Sequence, residues 1–146
     1  MKERGFEVLD HPADMGLKIW APSLDSLFAE AALALTESLF DLNSISQEMN
    51  IDIQVSASEK ELLLYQWLSE VLFLFDADGL IFNRFEILDL FEEGVNWKLS
   101  ARGLGEEYDP LKHQVKTYVK AVTMHQLKIE KDSLDNLFKA YVYLDI

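Results

Sequence analysis

Ala140-Tyr141-Val142-Tyr143-Leu144-Asp145-Ile146 closes the sequence with an unbroken alternation. Ala140, Val142, Leu144 and Ile146 fall on one face, Tyr141, Tyr143 and Asp145 on the other. Period-two alternation predicts a half-buried β-strand, here running from Leu137 to Ile146. Chain ends fray unless they are tied down. A strand that reaches the last residue, with Ile146 anchored in a core, would hold the side-chain carboxylate of Asp145 and the main-chain carboxylate of Ile146 still. Two hard oxygen donors fixed together suit Mg²⁺ or Ca²⁺ once the fold supplies a third.

Outward from that strand, the rest of the chain divides into short elements. Phe6–Leu9 and Met15–Ala21 read as strands, the second alternating Met15, Leu17, Ile19 and Ala21 against Gly16, Lys18 and Trp20. Ser23 is the predicted N-cap of a helix to about Asp41, with Leu24, Leu27, Phe28, Ala31, Leu35 and Leu39 at helical spacing. Ile51–Ser56 alternates as a strand. Ser58-Glu59-Lys60-Glu61 has the capping-box pattern and opens a second helix to about Phe75. That helix is apolar almost all round, as a central core helix is, and is too short to span a membrane.

Leu80–Phe91 and Val95–Arg102 read as an antiparallel hairpin across Glu92-Glu93-Gly94. Gly103 to Gln114 lacks periodicity. Tyr118–Met124 and Leu127–Ile129 lean to strand, although Val119-Lys120-Ala121-Val122 also suits a helical turn. Two main helices among six to eight mostly antiparallel strands predict a layered α+β fold, a single domain over 1–146.

Composition narrows the function. The 49% hydrophobic content, with three prolines and six glycines, is that of a folded domain with a proper core. Cysteine is absent, which removes disulfides, thiol catalysis and zinc–thiolate sites. The start, Met1-Lys2-Glu3-Arg4-Gly5, lacks an apolar signal core, so a soluble cytoplasmic protein is expected. Twenty-six acidic residues stand against thirteen basic ones, a net charge of −13. A nucleic-acid surface needs a basic footprint, so direct RNA or DNA binding is not expected. Cations, or a basic protein partner, suit this charge; so does plain solubility.

Candidate sites are few, and each has a structural reading beside it. Asp10-His11-Pro12-Ala13-Asp14 gathers two carboxylates and an imidazole in one loop, ligands for a metal or formers of a turn. Asp76-Ala77-Asp78-Gly79 resembles the opening of a Ca²⁺ loop but leaves the pattern incomplete; a helix C-cap with Gly79 left-handed explains it better. Gly103-Leu104-Gly105-Glu106-Glu107-Tyr108-Asp109 lacks the third glycine of a dinucleotide site and reads as an acidic turn. Lys112-His113, Lys120 and His125 are the notable basic positions, with Lys120 either a snorkelling edge residue or a paired charge. No catalytic triad assembles.

Three segments taken together resemble the archease family: Asp10-His11-Pro12-Ala13-Asp14-Met15-Gly16, Val119-Lys120-Ala121-Val122-Thr123-Met124-His125, and Ala140 to Ile146. The resemblance covers essentially the full length, including Gly105-Glu106-Glu107 followed by Lys112-His113. It implies an archease-like α+β domain and an activator rather than an enzyme. Archeases assist the RtcB-type RNA-splicing ligase, which joins tRNA exon halves through a guanylylated histidine, by promoting guanylylation and repeated turnover. On the resemblance, a divalent cation (Ca²⁺, or Mg²⁺ or Mn²⁺) is held by Asp14, Asp145 and the terminal carboxylate of Ile146. Lys120, matching a lysine important for activation, and His11 are the expected contacts to partner or nucleotide. Pro12 stands where threonine is common, Met124 where tyrosine is usual and Phe138 where tryptophan is frequent. The carboxylates and Lys120 are unchanged.

Two other functions compete. A metal-dependent hydrolase would use His11 or His125 as its base. A chaperone, or a modulator of RNA-modifying enzymes such as methyltransferases, would bind several unrelated clients. The all-round apolar helix can be satisfied within one copy, so a monomer is expected.

Overall fold

A computed structural model describes residues 3–9 and 14–146 of the chain. Its elements in order are β1 (Gly5–Leu9), β2 (Asp14–Ala21), α1 (Leu24–Leu39), β3 (Met49–Ala57), α2 (Lys60–Asp78), β4 (Leu80–Glu93), β5 (Asn96–Glu107), β6 (Ala121–Val122), β7 (Lys128–Lys131) and β8 (Phe138–Asp145). A 3₁₀ turn over Leu42–Ser44 follows α1. Two antiparallel sheets result. One runs β1-β2-β8-β6, with β7 also paired to β8; the other runs β3-β5-β4. The two helices pack against both sheets, α1 on β2 and β4, α2 on β3 and β6. The α+β class read from the sequence is the class observed.

Each sheet forms because one face of its strands is apolar. Along β2, Leu17, Ile19 and Ala21 are fully buried; on the same face of β8, so are Ala140, Val142 and Leu144. Burying a Val or Leu side chain contributes about 1.5–3 kcal/mol. A register slip of one residue would turn all six outward, so the pairing is strongly specified.

The first helix starts where the sequence placed it. The Ser23 hydroxyl accepts the Ser26 N–H and the Ser26 hydroxyl accepts the Ser23 N–H, both at 3.2 Å. The helix stops at Leu39, two residues before the expected end, because Phe40 turns extended and sinks fully into the core. At the second helix the expected Ser58 capping box does not form. The N-cap is Glu59, with no side-chain cap bond. The stripe of Leu63, Leu64, Trp67, Leu68, Val71 and Leu72 is buried, and Trp67 Nε1–H donates to the Phe28 carbonyl at 2.9 Å. A buried indole satisfied this way locks the two helices together. Gly79 closes α2 at φ 65°, the left-handed cap, and no calcium loop is needed to explain it.

The stretch Gly103 to Glu107, read as a turn, is strand. It continues β5 against β4, where the ladder shifts register between Phe82 and Arg84. The shift presses β4 onto the two glycines. A Cβ on Gly105 would stand 1.8 Å from the Ile81 carbonyl oxygen, and one on Gly103 would stand 2.8 Å from the Phe82 ring. Glycine here permits close backbone approach at a bulge rather than a turn. Between Tyr118 and Met124 only Ala121–Val122 is strand. Among the described residues no helix is long and apolar enough to cross a membrane.

Candidate functional site

Two strand ends make the site. In the β2–β8 ladder the last pair is Asp14 opposite Asp145. Directly opposed residues of an antiparallel pair project to the same face with Cβ atoms about 4.5–5.5 Å apart. Their neighbours Leu144 and Leu17 mark the core face, so by alternation the two carboxylates leave the sheet on its outer side. Two like charges held this way repel. Among the described residues neither carboxylate forms an ion pair.

The end of β8 is splinted by the segment around β6. The Lys120 N–H donates to the Asp145 carbonyl at 2.7 Å. The Tyr143 carbonyl accepts from the Thr123 N–H at 3.0 Å and from the Thr123 hydroxyl at 2.9 Å. Ala121 stands opposite Asp145 and Val122 opposite Leu144. Leu144, fully buried, is therefore the anchor of this strand end. Ile146, which the sequence suggested as the anchor, is 43% exposed. Ile146 follows directly after the carbonyl that Lys120 holds.

Two pairs further along, on the same face, Gly16 is opposite Tyr143. A Cβ on Gly16 would come within 2.8 Å of the Tyr143 ring and 3.1 Å of the Leu9 Cβ. The missing side chain lets the tyrosine lie over β2 on the face that carries the carboxylates. His125 packs edge-on against the same ring, centroids 6.3 Å apart. In the sequence Tyr143 and Gly16 are only members of alternating strands, with no functional mark. Their signal is visible only once the register is known.

Lys120 forms no ion pair with Asp14, Asp145 or any other described residue, which leaves the snorkelling edge residue of the two readings its sequence offered. It is exposed and lines a cleft of about 200 Å³ with Leu72, Phe73 and Asp76 of α2. Asp10, His11, Pro12 and Ala13 lie outside the described residues, so the contact expected of His11 rests on the resemblance alone.

A second polar cluster sits at the end of β5. The Glu106 carboxylate, nearly buried, accepts from Lys112 Nζ at 2.7 and 2.9 Å and from the Ser46 N–H at 2.7 Å. His113, fully buried, meets it through Nε2 at 2.9 Å. His113 Nδ1 accepts from the Asp109 N–H at 2.9 Å, so the ring proton is on Nε2 and points at Glu106. Burial alone would raise the Glu106 pKa; the hydrogen bonds from Lys112, the Ser46 N–H and His113 outweigh it and bring the value down to about 2. A carboxylate this well satisfied is committed to structure. It fastens the 109–113 loop to β5 and to the segment before β3.

No group of three His, Asp or Glu side chains among the described residues is placed to hold a metal. Asp14 and Asp145 supply two, and the third donor of the expected set is a main-chain carboxylate. An all-oxygen donor set with no cation of its own fits a hard divalent ion and does not fit zinc or copper.

Residues 6–146 match the Archease protein family model. Among curated relatives, the chain is 36% identical to an archease from Methanopyrus kandleri over 127 residues, covering 87% of this chain and 90% of that one. It is 37% identical to an archease from Pyrococcus furiosus over 128 residues, covering 88% and 89%. A solution structure of a Methanobacterium thermoautotrophicum protein superposes with a TM-score of 0.85 at 32% identity, covering 97% of this chain and 99% of that one. A crystal structure of an archease from Thermotoga maritima, described as a possible chaperone, has a TM-score of 0.57 at 22% identity over 94% of each chain, and is a likeness of fold.

Proposed function

The chain belongs to the archease family, and we propose on that footing that it is a cytoplasmic accessory protein which activates an RtcB-type RNA ligase. The observation that carries this reading is the Asp14–Asp145 pair at the end of the β2–β8 ladder, with no ion pair to either carboxylate among the described residues. Asp14, Asp145 and the terminal carboxylate of Ile146 hold a divalent cation on an exposed rim. Bound there, the cation neutralises the carboxylates and offers positions to oxygen ligands. The protein's own residues do the rest. The Lys120 N–H and Thr123 fix the strand end, Leu144 anchors it, and Tyr143 over Gly16 shields one side of the carboxylates. The rim docks at the ligase and helps prepare it for guanylylation, while Lys120 contacts the ligase or its nucleotide. With −13 charges overall, the protein approaches RNA only through that partner.

Single-turnover guanylylation of the ligase tests this. Wild-type protein should raise the rate and the Asp145→Ala protein should not. Equal stimulation by both would remove the carboxylate site from the mechanism.

A further inference from the structure

The cleft beside Lys120 has three properties that call for an occupant. Its α2 wall carries Phe73, which is 56% exposed although the preceding Val71 and Leu72 are buried. Two residues upstream of Lys120, Tyr118 is also exposed. Asp76 lines the same wall, exposed but partly desolvated so that its carboxyl is pushed up, and no ion pair forms between it and Lys120 or any other described cation. A carboxylate penalised by its surroundings gains most from an incoming positive charge. The far wall includes Ala121, the cross-strand partner of Asp145, so the cleft adjoins the carboxylate rim.

We infer that this cleft receives a segment of the protein partner that carries an apolar side chain next to an arginine or lysine. The apolar group lies on Phe73, Leu72 and Val122, and the cation meets Asp76. Lys120, on the opposite wall, sets the polarity of the segment by taking a carbonyl or carboxylate. A basic occupant also suits the acidity of the whole chain. The inference rests on the activator reading and adds to it a second point of contact, made by side chains that hold no metal. Affinity then comes from the cleft and activation from the rim.

Binding and stimulation of the purified RtcB-type ligase, measured with full-length Phe73→Ser, Asp76→Asn and Asp145→Asn proteins, separate the two. Phe73→Ser should weaken binding about tenfold or more, as loss of an aromatic anchor does. Asp76→Asn should weaken it less and flatten its dependence on salt. Asp145→Asn should bind and fail to stimulate. Phe73 and Asp76 are exposed, and a thermal melt confirms that both variants fold. If wild type stimulates while Phe73→Ser and Asp76→Asn bind as tightly as it does, the cleft is not the contact and the activator reading stands. If wild type neither binds nor stimulates, both fall. If Phe73→Ser instead abolishes a self-association seen by sedimentation, the occupant is a second copy and the inference is overturned.

Discussion

Asp14 and Asp145 close the β2–β8 ladder as directly opposed residues, one from the first part of the fold and the other from its last strand. Like charges in that relation are destabilising, by the same order as favourable cross-strand pairs are stabilising. Replacing Asp145 by Asn should therefore stabilise the cation-free protein by about 0.2–1 kcal/mol. The wild-type melting temperature should rise on adding Ca²⁺, Mg²⁺ or Mn²⁺, with about 2.7 kcal/mol gained at a cation concentration one hundred times its Kd. The Asp145→Asn melt should be indifferent to all three. A variant that still responds fully places the cation elsewhere.

The anchor and the ligand at this strand end are separable. Leu144→Ala opens a hole at a fully buried position and should cost about 2–5 kcal/mol in urea unfolding. Removing Ile146, by contrast, should change stability by no more than about 0.5 kcal/mol, because that residue lies at the surface rather than in the core. Ligase stimulation should nonetheless be lost, since the terminal carboxylate moves back by one residue. Full stimulation by the shortened protein would dismiss the main-chain carboxylate as a donor.

Gly16→Ala should displace the Tyr143 ring, for which 2.8 Å leaves no room. Overpacking of this kind costs about 1–3 kcal/mol. Near-ultraviolet circular dichroism should report the altered tyrosine, and cation affinity should fall as the outer face around Asp145 rearranges. An unchanged spectrum would mean that the strands absorb the methyl group by other means.

Acid should undo the Glu106 cluster. Its folded-state pKa, about 2, lies below the ordinary value of 4.5. The stability it contributes is complete above the unfolded-state value and is lost as pH falls from about 4.5 toward 2. Glu106→Gln should remove that part of the acid limb. At neutral pH it should also cost about 1.5–3 kcal/mol, the order for a hydrogen bond to a charged group. Denaturant midpoints across this pH range, wild type against variant, decide it.

The hydrolase alternative makes its own demand. Isolated protein loaded with Mg²⁺ or Mn²⁺ should leave phosphoesters and nucleotides intact. Turnover abolished by Asp14→Ala would instead make the chain an enzyme in its own right.

What could be read in the sequence was whatever one segment decides by itself. The alternation of β2, β3 and β8 and the stripe and Ser23 cap of α1 are local, and the left-handed Gly79 needed only its own neighbours. What failed was decided between segments. Gly103 and Gly105 look like a turn until Phe82 and the Ile81 carbonyl are pressed against them. Ser58 has the right spacing for a capping box, but the chain enters the helix one residue later. Of the site, the residue types were visible, and the family resemblance led to the expectation that Asp14, Asp145 and Ile146 act together; the structure brings Asp14 and Asp145 opposite each other. The register that sets Asp14 opposite Asp145 was not visible, nor was the support from Thr123, Tyr143 and Gly16. Glu106 and His113 stood in plain view, yet their link to Ser46 depends on how β5 meets the segment before β3.

The strand at the middle of the five-stranded sheet is also the one that follows every other described element in the chain. During synthesis β1 and β2 can form their hairpin early, while the edge that will receive β8 stays open. Neither β6 nor β7 has a partner in that sheet until β8 arrives. The long-range pairing is therefore a late event in folding, and Asp14 gains its counterpart only then. Until β8 is in place the two carboxylates are not brought together, so their opposition marks the sheet as fully assembled.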